Sequence, residues 1–403
     1  MMLQATETAA DLFAQILDPV NRPNPYPLYA RLRETPVALL RDGFFAVSTY
    51  AAIAALLHDP RMSKDQRKSD VPLTGTQRIE PRPFLFLDPP EHDRLRRLVM
   101  HQFTPARVDA MHDRVVTLVD ELLDAQHDQP RFDVVDDFAY PLPVTVICEL
   151  LGVPREDESR FHTWADTLAH ALDPDPGEQT SMAALQAAQG LAAYMRDLIT
   201  ERRARPTDDM LSDVAIGDDP DGRMDDPNLV ITMILLLIAG HETTVNLITN
   251  GTLTLLRNPV EMERLRDNPR RVAKVVEELL RYEPPVQFIN RFALTDIEIS
   301  GVTIPKGSGI RLMLAAGNRD PMRFGDPERF DPDRPDNEHF GFSGGIHYCV
   351  GAPLARIEGQ IALTALARRL VNPRLVADPP PYRPNAVLRG PVYLLVDFDG
   401  VRD

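Results

Sequence analysis

The feature that most restricts the fold of this chain is a long apolar run near its middle. Almost every residue between Leu229 and Gly240 is apolar, and the run then breaks into His-Glu-Thr-Thr at residues 241–244 before it resumes. A membrane span needs about 20 apolar residues, more than this run contains. A helix that is apolar on all sides belongs in the core of a large protein. We therefore predict a long buried helix over residues 228–256.

Two residues of this run require an explanation. A glycine inside a helix, such as Gly240, costs about 1 kcal/mol relative to alanine, so we expect a packing or functional reason for it. The hydroxyl of Thr243 can donate to the carbonyl of Ala239 one turn earlier, which loosens the helix and makes room for a small ligand or water. Taken alone, this pattern fits a kinked core helix equally well.

A second informative segment surrounds Cys349, one of two cysteines in the chain. Gly345 and Gly351 let the backbone approach a flat ligand closely. Apolar residues recur at helical spacing from Leu354 onward, so Cys349 should lie at or just before a helix N-terminus, where a thiolate is favoured. Phe342 can pack beside the sulfur. This arrangement makes Cys349 a plausible metal ligand.

Two other interpretations of this cysteine stay open at this point. A lone cysteine in a glycine-containing loop is often a small, buried, structural residue. A zinc site built from His339, His347 and Cys349 is also possible, although no second thiol is near in sequence, since Cys148 belongs to a separate apolar run.

The complete string that starts at Phe342, Phe-x-x-Gly-x-x-x-Cys-x-Gly, resembles the haem-binding loop of the cytochrome P450 superfamily, soluble bacterial type. The resemblance implies that Cys349 is the axial ligand of the iron of haem b. It also implies that His347 faces a haem propionate and that Phe342, Gly345 and Gly351 border the cofactor.

The break in the apolar run is similar to the oxygen-binding helix of the same family. By that resemblance Thr243 and Glu242 are the catalytic alcohol and acid that deliver protons from solvent during oxygen activation, because an alcohol beside a carboxylate is a suitable donor chain. Ala239 and Gly240 would then lie against the haem.

Glu278 and Arg281, three residues apart, resemble the family's Glu-x-x-Arg motif. Without the resemblance they would be an ordinary exposed ion pair contributing about 0 to 1 kcal/mol. The resemblance implies a buried triad completed by an arginine from a later proline-rich stretch, for which we select Arg334 over Arg329. The triad is a structural element, and its loss should reduce haem retention and stability.

Three further basic residues match the family's clamp on the haem carboxylates, in addition to His347. His92 and Arg96 are four residues apart on one predicted helix, and Arg291 follows a strand-like segment. Charge-assisted hydrogen bonds from arginine and histidine suit two carboxylates in an apolar protein. Each of these residues, taken alone, could equally be a solvated surface charge.

The resemblance implies a mainly α fold with small β-sheets, in which haem lies between a long distal helix and a proximal Cys loop. No linker or repeat divides the chain, so we expect one cytochrome P450 domain over residues 1–403, with an ordered core over about 24–396. Helical spacing predicts helices over the following residues: 26–34, 50–58, 91–100, 105–125, 140–151, 156–171, 181–203, 228–256, 259–266 and 269–282.

Composition limits the partners and the compartment. The net charge of -16, from 44 basic and 60 acidic residues, disfavours nucleic acid and anionic membranes. No signal segment follows Met1, and two distant cysteines provide no disulfide framework, so we expect a cytoplasmic protein, free of membranes and monomeric.

The resemblance implies a haem-thiolate monooxygenase that inserts one oxygen atom from O2 into an apolar small molecule, most often as a hydroxylation. The electrons would come from a separate ferredoxin or flavodoxin with an NAD(P)H-dependent reductase. We hypothesise that Arg94 and Arg97, with residues near Cys349, form a local basic patch that binds the electron donor. A peroxide-driven peroxygenase and an inactive haem-binding interaction module are the alternatives.

The substrate cannot be identified from the sequence, but the resemblance suggests which residues line its pocket. These are Leu236, Ala239, Val286, Phe288, Ile289 and Val392, which are all apolar, as the lining of such pockets usually is. Arg67, Lys68 and Gln287 could anchor a polar end of the substrate, although surface or loop positions explain them as well.

Overall fold

The computed structural model describes residues 7–73, 77, 80–174, 176–217 and 223–402. Helices dominate this part of the chain. They are α1 Ala9–Leu17, α2 Tyr26–Leu32, α3 Tyr50–Leu57, α4 Glu91–Met100, α5 Pro105–Ala110, α6 His112–Asp124, α7 Pro141–Leu151, α8 Glu158–His170, α9 Gly177–Ala204, α10 Met210–Ile216, α11 Asp226–Arg257, α12 Pro259–Asp267, α13 Val272–Tyr282, α14 Leu314–Gly317 and α15 Ala352–Arg369.

The strands are short. They are β1 Val37–Leu39, β2 Phe45–Val47, β3 Met62–Ser63, β4 Arg131–Asp133, β5 Ile289–Ala293, β6 Ile297–Ile299, β7 Val302–Ile304, β8 Gly309–Leu312, β9 Arg374–Leu375 and β10 Leu395–Asp397. Mainly helical structure with small sheets is the predicted fold class, which is thereby confirmed.

Contacts divide the chain into two compact units, each built from three segments. The first unit comprises Met1–Pro72, Glu277–Cys349 and Pro381–Gly390. The second unit comprises Leu73–Val276, Val350–Pro380 and Pro391–Asp403. The expectation of a single domain over residues 1–403 stays a prediction.

A five-stranded sheet organises the first unit, in the order β1-β2-β8-β5-β3. β2 and β8 pair in parallel, with Phe45 opposite Ile310, and the other neighbours are antiparallel. The apolar side chains form two buried clusters. One contains Phe13 and Phe292, and the other contains Ile53 and Ile310. The sheet is therefore covered by apolar side chains, as the core of a unit requires.

The centre of the second unit is α11, which contacts α7, α8, α9 and α15. Its start is fixed by Asp225, whose side chain accepts a hydrogen bond of 2.8 Å from the Asn228 amide, and by Pro227 in the first turn. Nearly all residues of its second half are buried. The long buried helix predicted over residues 228–256 is confirmed. A small sheet, β4-β10-β9, also belongs to this unit.

By length and apolar composition, α11 is the one helix in the described part of the chain that could cross a membrane. However, 67% of its most apolar stretch is buried inside the structure. A core helix gives the same result, so this finding is weak support for a membrane span.

Candidate active site

The loop before Cys349 has a conformation that requires glycine. Gly345 has a φ of +64°, and a Cβ at this position would lie 2.1 Å from the carbonyl oxygen of Leu57. The amide of Cys349 donates to the carbonyl of Phe342 at 3.1 Å, which closes the loop. Phe342 is buried, and its ring packs edge-on against Tyr348, with 6.2 Å between centroids. The backbone around Cys349 is thus held in one shape.

The two cysteines lie in opposite environments. Cys349 is exposed, and α15 begins three residues later at Ala352, which confirms the predicted position just before a helix. Cys148 is buried in α7, and burial raises the pKa of its thiol to about 12. A thiol that keeps its proton is a poor ligand and nucleophile. Of the two, Cys349 is therefore the one suited to bind a metal.

The zinc alternative finds no support in the described residues. No group of three His, Cys, Asp or Glu side chains there could hold a metal ion. His339 is committed elsewhere, since its Nε2 lies 3.2 Å from Glu277 Oε2 and its Nδ1 accepts from the Gly341 amide at 3.0 Å. A single thiolate ligand at Cys349 agrees better with the geometry.

The Glu-x-x-Arg pair is fully buried rather than exposed. Arg281 donates to both carboxylate oxygens of Glu278, at 2.7 and 2.8 Å, and both side chains have no exposed surface. The Nε of Arg334 lies 3.6 Å from Glu278, and the Asp331 amide donates to the same carboxylate at 2.8 Å. The competing Arg329 is 63% exposed and pairs with acids of its own loop. Arg334 is thus the third charge of the cluster.

Positive charge is concentrated in the first unit near Arg291. This arginine is buried in β5, and Lys64 Nζ donates to the neighbouring Asn290 carbonyl at 3.1 Å. Burial, followed by the charge of Arg291, lowers the pKa of Lys64 well below its usual value. A bound carboxylate would offset both effects. Sequence reasoning missed Lys64, because its proximity to Arg291 arises from the pairing of β3 with β5.

The other basic residues predicted to bind the haem carboxylates lie in the expected local structures. His92 is buried in α4, with its Nδ1 2.7 Å from Asp93 Oδ1, and Arg96 is half-buried one turn later. His347 ends a short 3-10 turn, Gly345–His347, and is half-buried. All three place a nitrogen donor in a partly or fully buried position, which suits hydrogen bonding to an anionic ligand.

The apolar helix α11 has an opening in its middle. Ala239 is exposed, and Gly240 and Thr243 are half-buried, although most of the residues around them in α11 are buried. The hydroxyl of Thr243 donates to the carbonyl of Ala239 at 2.9 Å, as predicted from the sequence. A Cβ on Gly240 would lie 3.0 Å from the side chain of Ile147, so close packing against α7 is the reason for glycine there. A flat ligand could therefore approach α11 at this turn.

Glu242 lies on the buried side of α11. Its side chain is 5% exposed, and its Oε1 lies 3.7 Å from Nε2 of the equally buried His241. An acid next to a hydroxyl at a helix opening can hold and pass protons.

A second buried acid was missed by sequence reasoning. Glu358 of α15 is 2% exposed, and burial raises its pKa to about 8, although a hydrogen bond with Thr244 opposes that rise in part. At neutral pH this carboxyl therefore keeps its proton. Its partner Thr244 directly follows Thr243 in the sequence. The sequence of α15 does not indicate that Glu358 is buried, because its burial depends on the packing of α15 against α11.

The predicted pocket residues differ in exposure. Leu236 is buried, Val286 and Ile289 are half-buried, and Val392 is 44% exposed. Phe288 is 1% exposed, and its ring packs against Phe13 with 5.9 Å between centroids. Phe288 therefore belongs to the core of the first unit and is not at an open surface.

The polar anchors considered for the substrate are engaged in local structure. Gln287 is 1% exposed and accepts from the hydroxyl of Tyr29 at 3.0 Å. Arg67 forms an ion pair with Asp65 at 2.7 Å, and Lys68 is exposed in the same short turn. These contacts account for Gln287 and Arg67 without a ligand.

Comparison with known proteins agrees with this site. A family model described as Cytochrome P450 matches residues 36–396. The chain is 42% identical over 380 residues to the cytochrome P450 monooxygenase PikC of Streptomyces venezuelae, covering 91% of this chain and 89% of that protein. It is 39% identical over 396 residues to 6-deoxyerythronolide B hydroxylase of Saccharopolyspora erythraea, covering 93% and 96%.

The fold is similar to solved structures as well. The crystal structure of ligand-free CYP164A2 from Mycobacterium smegmatis has a TM-score of 0.90 and 42% identity, and the match covers 96% of this chain and 99% of that one. Because sequence and fold agree over nearly the whole chain, the protein belongs to the cytochrome P450 family and is a monooxygenase of that family, whose cofactor is haem b.

Proposed function

We propose that this protein inserts one atom of O2 into an apolar small molecule, most often as a hydroxylation, with haem b bound through the thiolate of Cys349. The observation that carries the proposal is the exposed cysteine in a loop whose shape depends on Gly345. Relatives named as a monooxygenase and as a hydroxylase support the reaction class. When bound, haem supplies the oxygen activation and the one-electron chemistry.

The chain's own residues hold the cofactor in this proposal. His92, Arg96, Arg291 and His347 would bind its carboxylates, because each places a nitrogen donor in a partly or fully buried position. Lys64, beside Arg291, would add a fifth donor.

The surfaces that face the flat ring would be apolar or small. Phe342 and Gly345 shape the cysteine loop, and an added Cβ on Gly351 meets open space, which agrees with room for a ligand. Ala239 is exposed at the open turn of α11, and Gly240 lets α7 pack closely against the same turn. The buried charges of Glu278, Arg281 and Arg334 would stabilise the segment that precedes the loop, because Arg281 also donates to the carbonyls of Asn318 and Pro327, both at 2.9 Å.

Proton delivery is assigned to Thr243 and Glu242. The hydroxyl of Thr243 is at the open turn of α11, whereas the Glu242 carboxyl is on the buried side. The Glu242 carboxyl would take up a proton that comes from solvent and transfer it to the hydroxyl of Thr243. The hydroxyl would hold a water or a proton at the open turn. The intact acid and alcohol favour an O2-driven enzyme over the peroxygenase and the inactive module.

The substrate is proposed to be apolar. Leu236, Val286, Ile289 and Val392 would exclude water around it, whereas Phe288 would support the pocket from the core.

Electrons are proposed to come from a ferredoxin or flavodoxin with an NAD(P)H-dependent reductase. The partner is expected to be acidic, so a local basic surface must overcome the net charge of -16. Both arginines lie in α4, and Arg97 is the more exposed of the two. Arg97→Glu should therefore weaken ferredoxin-supported turnover and flatten its salt dependence. We further propose a cytoplasmic monomer that binds neither nucleic acid nor membranes.

One reconstitution experiment tests the proposal. Candidate compounds that shift the Soret band to the blue are incubated with the holoenzyme, ferredoxin, reductase and NAD(P)H under ¹⁸O₂. The expected result is substrate-dependent NAD(P)H consumption and a product that carries one ¹⁸O, lost in Thr243→Ala as O2 is diverted to peroxide. Product formed with peroxide but not with the redox partners would identify a peroxygenase. No product under either condition would indicate an inactive haem-binding module.

A further inference from the structure

His241 is a buried imidazole next to the proposed catalytic acid. It is 2% exposed, and it lies in α11 with its ring edge-on to Tyr140 at 5.8 Å between centroids. The Nε2 atom lies 3.7 Å from Oε1 of Glu242. Neighbouring residues on a helix diverge by about 100°, yet these two side chains converge at their ends.

The hydrogen bonding of His241 fixes its tautomer. Its Nδ1 lies 3.0 Å from the carbonyl oxygen of Leu237, one turn earlier. A carbonyl oxygen only accepts, so Nδ1 must carry the hydrogen, and the lone pair of the neutral ring is on Nε2. The nitrogen that can gain and lose a proton is thus the one directed to Glu242.

Glu242 needs a donor of this kind if it acts as the catalytic acid. After each delivery the carboxylate must be protonated again, and Nε2 of His241 is the nitrogen at its Oε1 that can supply this proton. The distance of 3.7 Å is longer than a hydrogen bond, and a modest rotation of the carboxylate would close it.

We propose that His241 reloads Glu242 with protons. The imidazolium gives its Nε2 proton to Oε1 of Glu242, so an N–H bond breaks and an O–H bond forms. The ring is left neutral with Nδ1–H still bound to Leu237, and it regains a proton from water. No electron moves in this step. The inference rests on the proposed role of Glu242 in O2-driven turnover.

The test uses two substitutions that separate packing from proton transfer. His241→Phe keeps a ring against Tyr140, and His241→Asn keeps a donor for the Leu237 carbonyl, but neither can carry the proton. His112→Asn, at an exposed position in α6, is the matched control. Product formed per O2 consumed is measured with ferredoxin and reductase, and product is measured separately with hydrogen peroxide, which brings its own protons.

We expect both His241 variants to lose about tenfold in product per O2, with a larger solvent deuterium isotope effect. Peroxide-driven turnover should stay within about twofold of the unsubstituted enzyme and of His112→Asn. An unchanged O2-driven yield, or an equal loss with peroxide, would overturn the inference. If the unsubstituted enzyme itself fails with O2, the proposed function is at fault instead.

A second readout does not depend on turnover. ¹⁵N NMR of the imidazole in the diamagnetic ferrous carbon monoxide form should show a neutral ring protonated at Nδ1, with a signal that is absent in His241→Asn and shifted in Glu242→Gln. A neutral ring protonated at Nε2 would contradict the proposed direction of transfer.

Discussion

Glu358 provides a prediction whose magnitude follows from the structure. Burial raises the pKa of this carboxyl from 4.5 to about 8 in the folded protein. The unfolded chain releases the proton near pH 4.5, whereas the folded chain keeps it, so folding stability decreases as pH rises through this interval. One proton of difference changes the free energy of unfolding by about 1.4 kcal/mol per pH unit, or about 4 kcal/mol between about pH 5 and about pH 8.

Glu358→Gln removes the ionisation and keeps the shape. Urea unfolding should give similar free energies of unfolding for both proteins at about pH 5. As pH rises the variant should become the more stable protein, by about 4 kcal/mol at about pH 8. Glu178→Gln, at an exposed position in α9, should follow the unsubstituted protein at every pH. Parallel pH profiles for Glu358→Gln and the unsubstituted protein would refute the reasoning.

Two substitutions near the cysteine loop test the buried charges and the glycine. Arg281→Ala leaves the carboxylate of Glu278 buried without its strongest donor. It should lower the free energy of unfolding in urea by about 3 to 5 kcal/mol and cause loss of bound haem. A decrease of less than about 1 kcal/mol would show that the two residues behave as a surface ion pair. Gly345→Ala combines a positive φ with a Cβ 2.1 Å from the Leu57 carbonyl and should cost at least about 2 kcal/mol and lower haem content. The same change at Gly325, where the added Cβ meets open space, should alter stability by less than about 0.5 kcal/mol, so equal effects at the two positions would contradict the steric argument.

The long helices could be predicted from the sequence because their signals are local. The predicted helix over residues 91–100 has the bounds of α4, and α11 extends the predicted 228–256 by two residues at its start and one at its end. The helix predicted over 105–125 is wrong in one respect. The chain breaks at Met111 into α5 and α6, and the apolar spacing continues across that break.

The details of the site depend on contacts between distant segments, which a single sequence does not specify. The choice between Arg334 and Arg329 could be supported only by resemblance, and burial of Glu278 decides it. Lys64 and Glu358 gave no signal, because β-pairing places the first beside Arg291 and helix packing buries the second. Local chemistry, such as the hydrogen bond from Thr243 to Ala239, was accessible from spacing alone.

The central claim is that the sulfur of Cys349 binds the haem iron. The most direct measurement is the absorption spectrum of the purified ferrous protein under carbon monoxide. Thiolate ligation predicts a strongly red-shifted Soret band, which should disappear in Cys349→Ser while Cys148→Ser keeps it. A spectrum without that band in the unsubstituted holoprotein, or a band that survives in Cys349→Ser, would contradict the account.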